Sequence, residues 1–221
     1  MNDRPRLLDL FCGAGGSAVG YHRAGFDIVG VDNRHQKRYP FEFHQADALE
    51  FVAEHGHEFD AIHASPPCQA YTIAQNAARR AHLHPDLVAA TRDAIIMTGK
   101  PYMIENVPGA PLHNPVTICG LALGLRVKRH RLFESNVLIL VPPCPSHDTD
   151  YFVIFGNEVR IRRTGKAAGR KNSIRDGCAA MGIDWMTRAE LSQAIPPAYT
   201  ELVGRQLLSA VRYTADAEVT P

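Results

Sequence analysis

Cys68 stands in the run SPPCQAYT, directly after Pro66 and Pro67. Two prolines stiffen the backbone there and remove two amide donors. A thiol of ordinary pKa, about 8.5, is a few per cent thiolate at neutral pH, which already makes a nucleophile. A nearby arginine would increase that fraction. A lone cysteine is also a common small core hydrophobe, so its surroundings decide between the two. Glu105 and Asn106 close the apolar run YMIEN. A carboxylate at the mouth of a hydrophobic strand is partly desolvated, which raises its pKa and suits it to donate a proton near neutral pH. The competing reading is a structural salt bridge. Arg129 and Arg131, in KRHRLF, are alternate residues. On a strand they share a face and reach one pocket; otherwise they lie on a solvated strand face. Thiolate, acid and paired cations suit addition of a nucleophile to an electron-poor ring, with the arginines offsetting developing charge.

A second cluster lies upstream. DLFCGAGG places Gly13, Gly15 and Gly16 between an apolar run and a helix-like stretch. Glycines there let backbone N–H groups approach a ligand at a helix N-terminus. The run is neither GxGxxG nor a phosphate loop ending in Gly-Lys-Ser/Thr. Asp32 follows sixteen residues after Gly16, placed to accept hydrogen bonds from ribose hydroxyls. Asp47 ends the next strand-like run, where it could receive an adenine amino group. Each acid alone reads equally as a helix N-cap. Together with the glycines they spell an adenosine-bearing cofactor. S-adenosylmethionine fits the short loop better than NAD because its amino-acid end is compact.

These residues need a frame. Residues 6–107 alternate strand-like and helix-like stretches. RLLDLF, DIVGVD, FEFHQA, FDAIHAS and PYMIENV read as strands. Between them fall a helix over 17–24 with Ser17 as N-cap and Gly25 as stop, a helix within DALEFVAEHG, and a long helix from Pro85 closed by Gly99. That alternation predicts an α/β fold, a doubly wound, mostly parallel sheet covered on both faces. Ligands in such folds sit beyond the C-terminal strand ends, where every cluster above falls. From Arg126 the pattern changes. RLFESNVLIL reads as a hairpin, and YFVIFGNEVRIRR as a second around Gly156 and Asn157. TGKAAGRKN is a basic loop, Thr187 and Glu190 suit a capping box, and Pro197 opens a last helix to about Val211. The expected division is 1–136 as cofactor-binding and catalytic domain, 137–173 as a small hairpin-rich insert, 174–214 as returning helices, and 215–221 as a frayed tail.

The 221 residues suffice for one well-packed domain. No run of about 18 apolar residues predicts a membrane span, and the first residues lack signal-peptide character. Five cysteines without a disulfide-like spacing point to a reducing cytoplasm. Cys144 and His147 resemble half a zinc site, but no second pair stands at a matching distance, so no metal is expected. The net charge of +1 conceals a basic block: residues 126–175 hold eleven Lys/Arg against four Asp/Glu. Such a block suits a polyanion or a solvated surface.

Carbon 5 of cytosine is too weakly nucleophilic to take a methyl group directly. A thiolate added to carbon 6 makes carbon 5 enamine-like, and a proton at N3 stabilises the charge so produced. The motifs DLFCGAGG, VGVD, QADA, SPPCQAYT, MIENV, RHR and SQAIPPAYTELVGRQLL resemble, in order, those of the DNA (cytosine-5) methyltransferase family. The resemblance implies a sheet of the S-adenosylmethionine-dependent methyltransferase type and a covalent bond between Cys68 and carbon 6 of a flipped-out cytosine. Glu105 would bind N3, and Arg129 and Arg131 would hold the base. Phe11 would pack on the adenine of the cofactor, which Gly13, Ala14, Gly15, Gly16, Asp32, Asn33, Asp47, Ala48, Pro67, Gln193 and Ile195 would surround. Gln69, Thr72 and Asn106 would lie near the DNA, and Arg160, Arg162, Arg163, Lys166, Arg170 and Lys171 would meet its phosphates. Double-stranded DNA with a short target sequence is the implied substrate. A companion restriction endonuclease, a monomer, and a bacterial or bacteriophage-infected cell complete the expectation. The chain departs from the family pattern at Asp32, usually Glu, at Val127, usually Gln, and at Gln193, usually Asn. Its target-recognition region is much reduced. Two rivals remain: a tRNA cytosine-5 methyltransferase, whose branch has a Cys-Phe-Thr element not seen here, and a catalytically silent nucleic-acid-binding protein. Transfer of a group other than methyl from a modified cofactor is also open.

Overall fold

A computed structural model describes residues 4–68, 71, 86–156, 158–162 and 171–219. Its strands are β1 (Arg6–Leu10), β2 (Asp27–Asp32), β3 (Glu42–Gln45), β4 (Ala61–Ala64), β5 (Tyr102–Asn106), β6 (Val116–Cys119), β7 (His130–Ser135), β8 (Tyr151–Phe155) and β9 (Glu158–Arg162). The α-helices are α1 (Gly16–Ala24), α2 (Ala48–His55), α3 (Val88–Ile96), α4 (Ile174–Met181), α5 (Arg188–Gln193) and α6 (Pro197–Val219). Seven strands form one sheet in the order β3-β2-β1-β4-β5-β7-β6, and β8 pairs with β9 alone. The first five are parallel; β7 runs antiparallel to both its neighbours.

Both sheet faces are buried, which is why the parallel strands read as continuous apolar runs. Alternate residues go to opposite sides. Leu7, Ile28, Ala61 and Met103 join Tyr21 of α1 and Tyr199, Val203 and Leu207 of α6. Leu8, Leu10, Val29, Val31, Ile62 and Ile104 join Val52 of α2 and Ile95 of α3. Helices α1 and α6 approach so closely at Gly20 that a Cβ there would fall 2.0 Å from the Thr200 hydroxyl. A third cluster gathers Phe152, Ile154 and Val159 of β8–β9 with Met181 and Leu191, and reaches Ala14 beside the glycines. No described helix is long and apolar enough to cross a membrane.

Four expectations change. Helix α1 starts one residue earlier, with Gly15 at the N-cap in the left-handed conformation (φ 82°) and Ser17 buried in the first turn. The helix expected from Pro85 begins at Val88, whose N–H is held by the Asp86 carboxylate; Pro85 lies outside the described residues. RLFESNVLIL is not a hairpin: its first half belongs to β7, and its pairing partners are β6 and β5, distant in sequence. The last helix continues past Val211 to Val219. The Thr187–Glu190 capping box is present, and a second one joins Ser173 to Asp176.

Candidate active site

The ends of β4 and β5 carry the residues expected to react. These strands are adjacent and parallel, pairing Ala64 with Ile104. The loop 65–68 leaves β4 beside Glu105 and ends at the half-buried Cys68. Asn106, expected to meet DNA, is 1% exposed and donates from Nδ2 to the Pro66 carbonyl at 3.0 Å. Its Oδ1 accepts from the Val107 N–H. Both ends of the amide are therefore used within the fold, where Asn106 fastens the proline loop to β5.

Glu105 is buried, and burial raises its pKa; Arg131, Ser65 and Arg129 oppose that rise. Arg131 Nε lies 2.9 Å from Glu105 Oε1. That N–H does not point along a hydrogen-bond direction, so Oε1 accepts no hydrogen bond among the described residues. Arg129 lies within electrostatic reach of Arg131, Glu105, Tyr199 and Cys68. Its Nη1 and Nη2 donate to the carbonyls of Ile154 and Ser192. Tyr199, in the last motif, donates to the Arg129 carbonyl. Burial and Arg131 lower the Arg129 pKa to about 9, so the guanidinium stays protonated at neutral pH. Its Nε is buried with no partner among the described residues. A buried carboxylate oxygen paired with Arg131 and a buried guanidinium Nε without a partner among the described residues thus lie within electrostatic reach of each other. A buried polar group without a partner carries a desolvation penalty of about 1–3 kcal/mol, which a ligand bringing complementary groups would relieve.

Behind Glu105 runs a chain of hydrogen bonds absent from the sequence reading. Tyr21 Oη lies 2.9 Å from His63 Nδ1, His63 Nε2 lies 3.0 Å from Ser65 Oγ, and Ser65 bonds the Glu105 carboxylate. Burial lowers the His63 pKa to about 3, so the ring is neutral and relays hydrogen bonds without charge. Asp9, fully buried beside it, is pushed up to about 8 by desolvation; Tyr39 donates to its Oδ2. The only sequence signal is the alternation of His63 and Ser65, which sends both side chains the same way at the end of β4.

The glycine cluster lies at the end of β1. The Asp32 carboxylate accepts from Gly13 N at 3.1 Å and from Arg34 N at 2.9 Å, tying the loop to the end of β2. Phe11 takes φ 56°, a strained value for a non-glycine residue of the kind found at ligand sites. Gly13, at φ 50°, faces open space, whereas a Cβ on Gly15 would strike Pro40 at 2.7 Å and one on Gly16 the Ile195 carbonyl at 2.4 Å. Two of the three glycines are therefore required by close protein packing, and only Gly13 leaves backbone open to a ligand. Ala14 is held through its carbonyl by Trp185 Nε1. Asp47 caps α2, its Oδ1 accepting from Leu49 and Glu50 N–H groups, with buried Ala48 following. Pro67 is half-buried, Asn33 and Gln193 are exposed, and Ile195 is buried against Gly16.

The hairpin β8–β9 carries only part of the expected basic surface. Glu158 holds Arg160 at 2.7 Å and Lys171 at 3.1 Å, so one carboxylate is shared by two cations and offsets part of their charge. Arg162 is exposed. Gln69, Thr72, Arg163, Lys166 and Arg170 lie outside the described residues.

The chain is similar to known proteins. The family model for C-5 cytosine-specific DNA methylase matches residues 5–117, just over half of the chain. The type II methyltransferase M.FnuDI of Fusobacterium nucleatum is 33% identical over 76 residues, covering 31% of this chain and 22% of that protein. The type II methyltransferase M.XorII of Xanthomonas oryzae pv. oryzae is 26% identical over 151 residues, covering 61% and 32% respectively. The chain thus spans about a third or less of the length of these curated relatives. The structure of Entamoeba histolytica methyltransferase EhMeth matches in fold, with a TM-score of 0.64 at 12% identity over 95% of this chain and 99% of that one.

Proposed function

Because the chain belongs to the C-5 cytosine-specific DNA methylase family, we propose that it methylates carbon 5 of a cytosine extruded from double-stranded DNA, with S-adenosylmethionine as donor. The observation that carries this reading is the buried Glu105 carboxyl, ion-paired with Arg131, near the buried Arg129 guanidinium, whose Nε has no partner among the described residues and which lies within electrostatic reach of Cys68. Cytosine offers N3 and an amino group on one edge and a carbonyl oxygen beside them, which suit a carboxyl and a guanidinium.

The reaction follows from these parts. The Cys68 thiolate adds to carbon 6 and breaks the ring's aromaticity. Glu105, its pKa raised by burial, gives N3 the proton that stabilises the resulting charge. Arg129 and Arg131 hold the ring and offset charge at its carbonyl. Carbon 5, now enamine-like, would take the methyl group from the donor's sulfonium, which would leave as a thioether; a base would then remove the carbon 5 proton, N3 return its proton to Glu105, and Cys68 leave as the thiolate. The bound cofactor supplies an electrophilic methyl on its sulfonium. Residues fitted to hold it are Phe11, Gly13 with the open space at its Cα, Ala14, Asp32, Asn33, Asp47 through its second oxygen, Ala48, Pro67, Gln193 and Ile195, with Gly15 and Gly16 setting the loop's path. Extruding a base costs a few kcal/mol, which phosphate contacts from the 137–173 insert would offset. So small an insert touches few base edges, and a short target sequence follows. A monomer and a companion endonuclease belong to the same reading.

The test is labelled methyl transfer to unmethylated duplex DNA and, in parallel, to tRNA, comparing wild type with Cys68→Ser. Transfer to duplex DNA should fall by roughly three orders of magnitude or more, the scale of losing a catalytic nucleophile, while cofactor binding persists. Equal labelling by the variant would remove Cys68 from the reaction. Labelling of tRNA alone would replace DNA as the substrate.

A further inference from the structure

On the far side of β7 from the arginines, four potential metal ligands converge: Cys119, His130, Cys144 and His147. Their ligand atoms all lie within 4.8 Å of one another. Cys144 Sγ is 3.2 Å from His147 Nε2 and 3.4 Å from His130 Nε2, and Cys119 Sγ is 3.6 Å from His147 Nε2. Tetrahedral zinc, with bonds of about 2.3 Å to sulfur and about 2.0 Å to nitrogen, sets its ligand atoms about 3.3–3.8 Å apart. We propose that these four residues bind one Zn²⁺ as a structural Cys₂His₂ centre. This reading stands independently of the methyl-transfer chemistry.

No second pair stands near Cys144 and His147 along the chain. The sheet supplies that pair. Cys119 ends β6 and His130 begins β7, and antiparallel register sets them directly opposite each other. Cross-strand partners on one face have Cβ atoms about 5 Å apart, close enough for one ion to bridge. Cys144 and His147, in a Cys-x-x-His step, come from the stretch that leads from β7 to β8. The His147 ring is further placed against Tyr151 at the start of β8.

The donor set selects the metal. Two thiolates and two imidazoles suit zinc, whereas magnesium and calcium prefer oxygen. Binding displaces the two thiol protons, and the two sulfur charges then balance Zn²⁺, leaving a neutral centre. Such a centre meets a need of this stretch. Between β7 and β8 the chain forms no regular element. Val137, Ile139 and Val141 pack on the core, but beyond them residues 143–146 and 148–150 are exposed, and that part of the stretch gains definition from a cross-link. The ion would fasten the β8–β9 insert to the catalytic sheet. It would also fix the first residue of β7, between Arg129 and Arg131, from the face opposite the base pocket.

Metal analysis of the full chain purified without chelator tests this. One zinc per chain is expected, and removal by a chelator should lower the melting temperature. Cobalt added to the metal-depleted wild type should give intense visible bands of a tetrahedral ion and a thiolate-to-cobalt charge-transfer band at one equivalent. Cys144→Ser and His147→Ala, both off the sheet, should each abolish retention of zinc. The proposal is overturned if the wild type holds no zinc and takes up neither metal stoichiometrically. A six-coordinate cobalt spectrum overturns it too, as does full zinc content in both variants. A Cys119–Cys144 disulfide in freshly purified, non-oxidised protein would be equally fatal. The cobalt titration needs no variant, so misfolding of a mutant leaves the result decisive.

Discussion

Replacing Arg131 with methionine removes the cation 2.9 Å from Glu105 Oε1 and keeps most of the side-chain volume. The carboxylate it leaves is buried, and desolvation already dominates its titration. The folded variant then has one inexpensive option at neutral pH, to put a proton on Glu105. That option sets a ceiling on the loss. Protonating at pH 7 a group whose unfolded pKa is 4.5 costs about 3 kcal/mol, at about 1.4 kcal/mol per unit. The wild type already bears part of this, because its Glu105 is raised, and Arg129 remains nearby. A loss of about 1–3 kcal/mol at pH 7 is therefore expected, or roughly 3–10 °C in melting temperature for a chain of this size. The sign of the pH dependence follows. A carboxyl whose folded pKa is raised contributes stability that is fully present below the unfolded pKa and lost as pH rises through the folded one. The gap between wild type and Arg131→Met should thus nearly close at pH 4.5 and widen toward pH 7. Acid loss from His63, neutral in the fold with a pKa lowered to about 3, is common to both chains and cancels. Urea unfolding followed by the chain's one tryptophan, Trp185, at pH 4.5, 6 and 7.5 measures the gap. In a Glu105→Gln background the pH dependence should vanish. A loss of equal size at all three pH values, or one that survives in the Glu105→Gln background, would refute the reasoning and make Arg131 a packing residue.

Two further outcomes follow from the same physics. Asp9 is fully buried with a pKa raised to about 8 from 3.8, so at pH 7 folding must load a proton onto it at a cost approaching about 4 kcal/mol. Asp9→Asn should stabilise the protein near pH 7.5 relative to pH 4.5, read as a pH-dependent gap in melting temperature; a gap of the same size at both would contradict the buried-acid account. On the insert, Glu158 pairs with both Arg160 and Lys171. Glu158→Gln should release these cations to phosphate, tighten duplex binding at low salt, and steepen the fall of log K with log salt by as much as about two contacts; an unchanged slope in a fluorescence-anisotropy titration would take the hairpin out of the DNA interface.

What the sequence determined by itself was local. The apolar runs of β1 to β5, the stops at Gly25 and Gly56, the Thr187–Glu190 box and the β8–β9 turn each depend on neighbours within a few residues, where periodicity and capping act directly. The order of the motifs likewise put Cys68 and Glu105 at the ends of successive strands, and the sheet then set those strands side by side. Tertiary structure decided what depends on partners far along the chain. Strand β7 pairs with β5 and β6, both distant along the chain, and is not half of a local hairpin. Gly15 and Gly16 are required by Pro40 and Ile195, and Asn106 serves the Pro66 carbonyl. The relay from Tyr21 through His63 and Ser65 to Glu105 spans three elements, and the Cys₂His₂ cluster exists because antiparallel register sets Cys119 opposite His130. Residue type and spacing say what a side chain is able to do. Which of those abilities it uses is set by the groups that packing brings within about 3 Å, and no periodicity encodes that list.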